Sequence, residues 1–526
     1  MHHPDRAVAT GVEGIMVKDV LPKRDRMWWN YPKLLKLNLL LLCAIVNDIT
    51  NGYDGSMLNG LQIIPEWRDY FGKPIGQRLG TISNGVRFGQ IASLFIISPL
   101  LQKYGRRVPI AIGSAILLVG VVLQTAAQSY GMFVAARIVI GFGNGIQQTA
   151  CPILLAELTY PSQRPAIVGI TNTMGNLGQL MAAWITYGTA RGFVSSWSWR
   201  LPSALQAVSS IFQLSLVFFA PESPRWLIHN NRREEARQIL REYHGEGEED
   251  SKLARFEMIE IGLASEMGKP SSWAEWWRTP ANRYRFFIIT TLSFIIQWCG
   301  NALISYYLHL VLDSIGVTGT KTQLLLNGGI TINSFVFGIL FSLVIDRIGR
   351  RPMFLVGMVG MFSAFLVLTA LTGVNQGQNF SSAAMSRATV AMIFIFGIFY
   401  KMPAPMVDSY IAEISPYELR SKAFVIKQFG DACANLFSGY VNPIALAAIE
   451  WKYYIVWCCV LISNFLIIFF FYPETKKLSL EEVAQTFDGS ASTQHVMNME
   501  AANTGDAEGV KNILHEKDDQ SNGSLV

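Results

Sequence analysis

The chain has 526 residues, of which 51% are hydrophobic and 15% charged, and its mean hydropathy is +0.29. A soluble domain carries nearer a quarter of charged residues, so this composition excludes an ordinary globular enzyme and points to a polytopic membrane protein. The net charge of +5 is too small to call for a nucleic-acid partner.

The first 33 residues are polar and no cleavable leader is read in them, so an internal helix is expected to direct insertion and 1–35 is expected to be a cytosolic tail. Apolar runs long enough to cross a bilayer follow near 36–58, 78–101, 108–127, 131–155, 166–190 and 200–220. A polar stretch over 221–283, with "NRREEARQILREYH" and "KLARFEMIEIGLASE", has the charge and periodicity of short cytosolic helices. Six more runs lie near 284–312, 322–345, 352–373, 387–412, 421–446 and 451–472, and a polar tail expected to be disordered covers 473–526. The expected fold is therefore all-α: twelve transmembrane helices in an N-terminal half (36–220) and a C-terminal half (284–472), joined by a helical linker (221–283).

Orientation follows from the basic residues. Lys and Arg crowd the N-terminal tail, the second-to-third and eighth-to-ninth connections ("QKYGRRVP", "DRIGRRP") and the linker, whereas "AAQSY" and "TGVNQGQNFSSAAMS" have none. Both termini are thus expected in the cytosol, in the plasma membrane, with the sequon at Asn379 outside. The six cysteines all lie in apolar runs, without disulfide or metal-ligand spacing.

Short segments recur in one order. "YGRR" at 104 returns as "IGRR" at 348, an offset of 244; "ELTYPSQR" at 157 returns as "EISPYELR" at 413, an offset of 256; "PESPR" at 221 returns as "PETKK" at 473, an offset of 252. Three echoes in register argue for duplicated halves, an arrangement that places a substrate site between them near the midplane.

Together with "GYDG" and "ARIVIGFGNG", these motifs resemble the sugar porters of the major facilitator superfamily, over residues 35–487. "TNTMGNLG" and "QWCGNALISYYL" look more like the fungal lactose-permease and cellodextrin-transporter branch than the hexose branch. The resemblance implies a monomeric transporter that moves a neutral sugar by alternating access, with no enzymatic activity and no cofactor beyond protons as coupling ion. A proton-independent facilitator and a transporter-like sugar sensor stand as alternatives.

Asp54 lies inside the first apolar run, where a carboxylate costs about 2.5–3.5 kcal/mol to insert. The resemblance implies that an aspartate here pairs with an arginine at the position of Arg137 in the fourth run and couples transport to protons. At the ends of the runs, Glu157, Arg164, Glu222, Arg225, Asp346, Arg347, Arg350, Arg351, Glu413, Arg420 and Glu474 can form charge-assisted pairs. Such pairs are expected to hold the cytosolic side shut and to break when it opens; the alternative is that they only anchor helix ends. Gln102 stands where the family usually has an acid that the second half keeps as Asp346, so the first lock is expected to be weaker.

A sugar site needs neutral amides and aromatic faces. Asn172, Gln297, Asn301, Asn333 or Ser334, and Asn435 match or approach family positions for these, with Tyr306 and Tyr307 resembling an outer gate. Asp408 falls near the place of a sugar-stacking tryptophan; it could touch substrate, pair with Lys427 or bind a proton. Lys427 and Asp431 are four apart and can pair. Lys401 lies in the same tenth run as Asp408. Arg87 and Asp48 are expected at cavity margins or packed interfaces, and His309 as a packing residue.

Overall fold

The computed structural model describes residues 28–476, except 249–250, 268–271, 379–381 and 417–418, together with 11–12, 15–16, 21–22, 483 and 486–487. The side chains of Asn172 and Asp346 and the sequon at Asn379 lie outside the described residues.

The described chain is helical apart from one two-residue strand pair, Gly11–Val12 with Ile15–Met16. An N-terminal group comprises α1 (Pro32–Ile63), α2 (Pro65–Tyr70), α3 (Gly76–Tyr104), α4 (Arg107–Thr125), α5 (Tyr130–Leu158), α6 (Arg164–Gly192), α7 (Trp197–Leu205) and α8 (Ala207–Val217). Four shorter helices follow: α9 (Pro224–His229), α10 (Arg233–Tyr243), α11 (Lys252–Met267) and α12 (Glu275–Arg278). The C-terminal group comprises α13 (Pro280–Gln297), α14 (Asn301–Ser314), α15 (Thr320–Ile348), α16 (Arg350–Gly377), α17 (Ala383–Tyr400), α18 (Val407–Ile414), α19 (Arg420–Ile449) and α20 (Tyr453–Phe471). Ser129, Thr279 and Ser382 begin α5, α13 and α17 by accepting a hydrogen bond from the first-turn amides of Met132, Asn282 and Met385.

Among the described residues, length and hydropathy alone pick out eight membrane-crossing stretches, the last of which, Lys422–Phe471, contains both α19 and α20. Helices α3 and α6 have membrane-crossing length but fall outside this set. Their polar residues are not scattered: Arg87, Gln90, Asn176 and Gln179 turn to a central cavity, which lowers their mean hydropathy while their lipid faces stay apolar.

Small residues set the closest helix approaches. A Cβ added at Gly52 would collide with the Gly175 carbonyl, and one at Gly178 with that of Ile49, so α1 and α6 pack backbone to backbone. Breaks in the C-terminal group are as informative. Gly300 has φ +92°, a left-handed residue that separates α13 from α14. The carbonyl of Trp298, released at the break, accepts from Asn464 Nδ2 of α20 at 3.0 Å. Residues 401–406, with Pro403 and Pro405, interrupt the helix between α17 and α18.

The two helix groups touch mainly at one end. We call the end bearing Lys103–Arg107 and Arg347–Arg351 the basic face. Towards the opposite face, Asn59 Nδ2 donates to Asn327 Oδ1 at 3.0 Å while its Oδ1 accepts from the Leu308 amide at 3.2 Å. Asn84 Nδ2 donates to the Leu436 carbonyl at 3.1 Å, and Arg87 Nη2 to the Tyr306 hydroxyl at 3.0 Å. Among the described hydrogen bonds between the groups, the one closest to the basic face joins Lys401 Nζ to Asn176 Oδ1 at 2.9 Å. The cavity is therefore sealed at the far end and open towards the basic face. Asn59→Leu removes two of the bonds of the seal; a cysteine placed at Ser305 should then react severalfold faster with a membrane-impermeant thiol reagent applied from the far face. Unchanged labelling would show that Asn59 does not seal.

Candidate functional site: a central polar cavity and a buried ion pair

A cavity of about 510 Å³ lies between the groups, walled by α1, α3, α5 and α6 on one side and α13–α15, α18, α19 and Tyr400 of α17 on the other. On α1 the lining positions are Asp48, Asn51, Gly52, Gly55, Ser56 and Asn59, the spacing of one helical face. Both discontinuities of the C-terminal group border the cavity, where freed backbone can be satisfied by polar side chains.

The expected ligands fare unequally. Gln297, Asn301, Asn435, Tyr306 and Asp408 line the cavity. Gln297 Nε2 reaches Asp431 Oδ1 at 3.3 Å, Asn301 Oδ1 accepts from Ser305 Oγ at 3.1 Å, and Asn435 Nδ2 bonds the Asp431 carbonyl at 2.8 Å. Of the two alternatives on α15, Asn333 Nδ2 donates to the Phe394 carbonyl at 3.1 Å, joining α15 to α17, and Ser334 takes the cavity position. One residue along a helix is a rotation of about 100°, enough to exchange a cavity face for a packing face. Asn172 sits on α6 one turn before Asn176; among the described side chains of that helix, Asn176 and Gln179 line the wall. Tyr307 lies off the main cavity wall, beside the smaller space next to Asp54, and its hydroxyl donates to the Gly439 carbonyl at 2.6 Å. His309 is buried, as a packing residue would be.

Several lining residues escaped the sequence reading: Asn51, Asn59, Gln148, Asn176, Gln179 and Asn327. Their signal was a polar face recurring every three or four residues within apolar runs. Arg87 and Asp48, expected at cavity margins or packed interfaces, stand on the cavity wall. Asp408 pairs with Lys427, whose Nζ lies 3.1 Å from Asp408 Oδ1 and 3.1 Å from Asp431 Oδ2.

Beside the cavity, Asp54 and Arg137 meet. Arg137 Nη1 donates to Asp54 Oδ1 at 2.5 Å, and Gln206 Nε2 donates to the same oxygen at 2.9 Å. The two side chains are 7% and 2% exposed, so the pair is shielded from bulk water and its strength depends on both partners staying charged. A small annex of about 50 Å³ touches Asp54, Arg137 and Arg87 and shares Asn51, Gly55, Tyr306 and Asn435 with the main cavity.

At the basic face the charged residues form two matching clusters. Arg106, which the sequence reading did not single out, grips Glu157 through Nε and Nη2 at 2.9 and 3.0 Å. Glu222 accepts from the amides of Arg106 and Arg107 at 2.9 and 3.2 Å. In the C-terminal group, Arg350 Nη2 lies 2.9 Å from Glu413, and Glu474 accepts from the amides of Arg350 and Arg351, both at 3.0 Å. Arg351 itself donates to the Phe469 carbonyl at 2.6 Å. Arg106 was findable, since the 244-residue echo carries it onto Arg350.

The described pairs of each cluster stay within one helix group and are intact although the cavity is open at this end. Partners held within one helix group can move together and need not part. Arg164 and Arg225 face the connecting helices through Glu257 (3.6 Å) and Glu260 (4.0 Å). Glu257 is held further by His244 Nδ1 at 2.5 Å, and His244 Nε2 lies 3.1 Å from the Leu158 carbonyl, so α10 and α11 clasp the end of α5. Arg420 opens α19 at this face.

A helical membrane bundle with a polar cavity between two helix groups, sealed at one end, is the architecture of a carrier. The profile of the family described as "Sugar (and other) transporter" matches residues 40–487, and the chain belongs to that family. An MFS-type transporter of Aspergillus oryzae, oryC, is 30% identical over 451 residues, covering 83% of this chain and 82% of the relative. The high-affinity glucose transporter of Kluyveromyces lactis is 25% identical, with 86% of each chain covered. In fold, the chain resembles the inward-open xylose transporter XylE from E. coli, at a TM-score of 0.70 and 21% identity, covering 86% of this chain and 100% of that one.

Proposed function

We propose that this transporter is a proton–sugar symporter with twelve membrane spans in two duplicated six-helix halves, 36–220 and 284–472. The eight most apolar stretches account for nine spans, with α13–α14 and α17–α18 each counted as one broken span and α19 and α20 as two, and α3, α6 and the α7–α8 pair supply the other three. In this reading the basic face is cytosolic, both termini lie there, the protein works as a monomer in the plasma membrane, and the conformation described is inward-facing. The substrate is a sugar from the range that the family's sugar carriers suggest, with a disaccharide admissible; the likeness to the fungal lactose-permease and cellodextrin-transporter branch supports that range.

The observation that carries the coupling is the buried Asp54–Arg137 pair beside the cavity. Protonation of Asp54 removes the charge that Arg137 and Gln206 address, and so frees α1, α5 and α7–α8 to shift relative to one another. The annex gives the proton a path from the cavity to Asp54. Sugar hydroxyls meet Gln297, Asn301, Asn435 and Tyr306, with Asn172 a further candidate on α6. As halves rock, bonds such as Asn59–Asn327 open at the far face while the basic face closes. The two charged clusters keep the helix ends of each half rigid, so that each moves as one body.

The test is uptake of labelled sugars by purified protein in liposomes, with and without an imposed pH gradient. Accumulation above equilibrium only with the gradient supports symport. Uptake that stops at equilibrium under both conditions overturns it in favour of facilitated passage.

A further inference from the structure

The cavity carries more charge towards its open end than a site for neutral hydroxyls requires. Asp408 and Asp431 share the single ammonium of Lys427, and the Asp408 side chain remains 48% exposed. Asp48 reaches the same cavity from the facing helix, and among the described residues its carboxylate has no hydrogen-bond or ion-pair partner. The other cations nearby are engaged elsewhere with neutral groups. Arg87 is bound towards the sealed end by Gln90 Oε1 (2.8 Å) and the Tyr306 hydroxyl (3.0 Å), and Lys401 by Asn176 Oδ1 at the α6 seam. Three carboxylates therefore share one ammonium towards the open end, while the Arg87 guanidinium stands on the same cavity's wall towards the sealed end, so the acids still outnumber the cations.

Hydroxyl groups can bond a carboxylate but leave its charge in place. An ammonium has three donors and cancels that charge, and a charge-assisted hydrogen bond is roughly twice as strong as a neutral one. A cleft of one sign also raises the local concentration of the opposite sign. We infer that the cavity prefers polyhydroxylated substrates that bear a protonated amine, seated between Asp48 and Asp408, with the hydroxyls directed to the amides beyond. This rests on the reading of the cavity as a sugar site, and it makes Asp48 a specificity-determining residue.

Binding to the purified full-length carrier, followed by intrinsic tryptophan fluorescence at neutral pH, tests it. The probes are D-glucose, D-glucosamine and N-acetyl-D-glucosamine, and cellobiose with its diamino counterpart from chitosan. The expected result is a preference of about tenfold for the amine over its neutral parent in at least one series. N-acetylation, which keeps the nitrogen but removes its charge, should abolish it. Asp48→Asn should bring the ratio close to one, and Asp48→Glu should restore most of it. Equal affinities across each series in the wild type, or a ratio unchanged by Asp48→Asn, overturn the inference while leaving the sugar reading intact. Absence of binding by every probe overturns both.

Discussion

Asp54→Asn is expected to end accumulation against a gradient, bringing internal sugar to the external level, while exchange of sugar between the two sides persists within about tenfold of the wild type. Asparagine keeps the size and can still accept from Arg137 and Gln206, which lie 2.5 and 2.9 Å from the carboxylate oxygen. It cannot alternate between charged and neutral forms, so the link between proton and conformation is lost but the path for sugar remains. Arg137→Ala should be more damaging, because it strands a buried carboxylate at a cost of about 3–5 kcal/mol. The double change Asp54→Asn/Arg137→Gln should recover much of that stability without recovering accumulation. Liposome uptake under an imposed pH gradient, with melting temperatures of the same proteins, separates the two effects. Accumulation that survives Asp54→Asn would move the proton site elsewhere.

Arg106→Ala is the second large effect. The guanidinium grips Glu157 with two bonds, and the side chains are only 17% and 12% exposed, so removal leaves a largely desolvated carboxylate. The cost is roughly 2–3 kcal/mol, read as a fall of several degrees in melting temperature. Arg106→Lys should recover only part, since a lysine cannot make the paired contact. The equivalent Arg350→Ala should lose less at Glu413, which keeps a bond at 2.6 Å from Thr475 Oγ1. Equal losses at the two positions would contradict the asymmetry between the clusters.

Gln102 suggested a weaker first lock than that expected at Asp346, whose side chain lies outside the described residues; the Gln102 backbone carbonyl accepts from Trp226 Nε1 at 2.8 Å, and the double contact at Glu157 comes from Arg106. The echoes named both acids and both arginine pairs but carried no distances, so Arg106 went unassigned. Arg164 was assigned to a gate, although the connecting helices bring Glu257 to it from nearly a hundred residues away.

Long apolar runs, the basic residues between them and the repeated motifs were legible because each rests on local chemistry: hydrocarbon thickness, charge and helix-end geometry. So was the presence of Asp54 and Arg137 within apolar runs, where an unpaired charge is costly enough to demand a partner. Rotation about each helix axis and the approach of one helix group to the other were not legible, because they depend on side-chain packing between segments distant in sequence. These decided that Ser334 rather than Asn333 meets the cavity, that Asn176 and Gln179 line it from α6, that Asp48 faces Asp408 and Lys427, and that the far end is the sealed one. By itself the sequence determined a membrane bundle with a buried acid; the tertiary structure decided what that acid and its cavity can reach, because contact between helices is set by their mutual packing and not by their order.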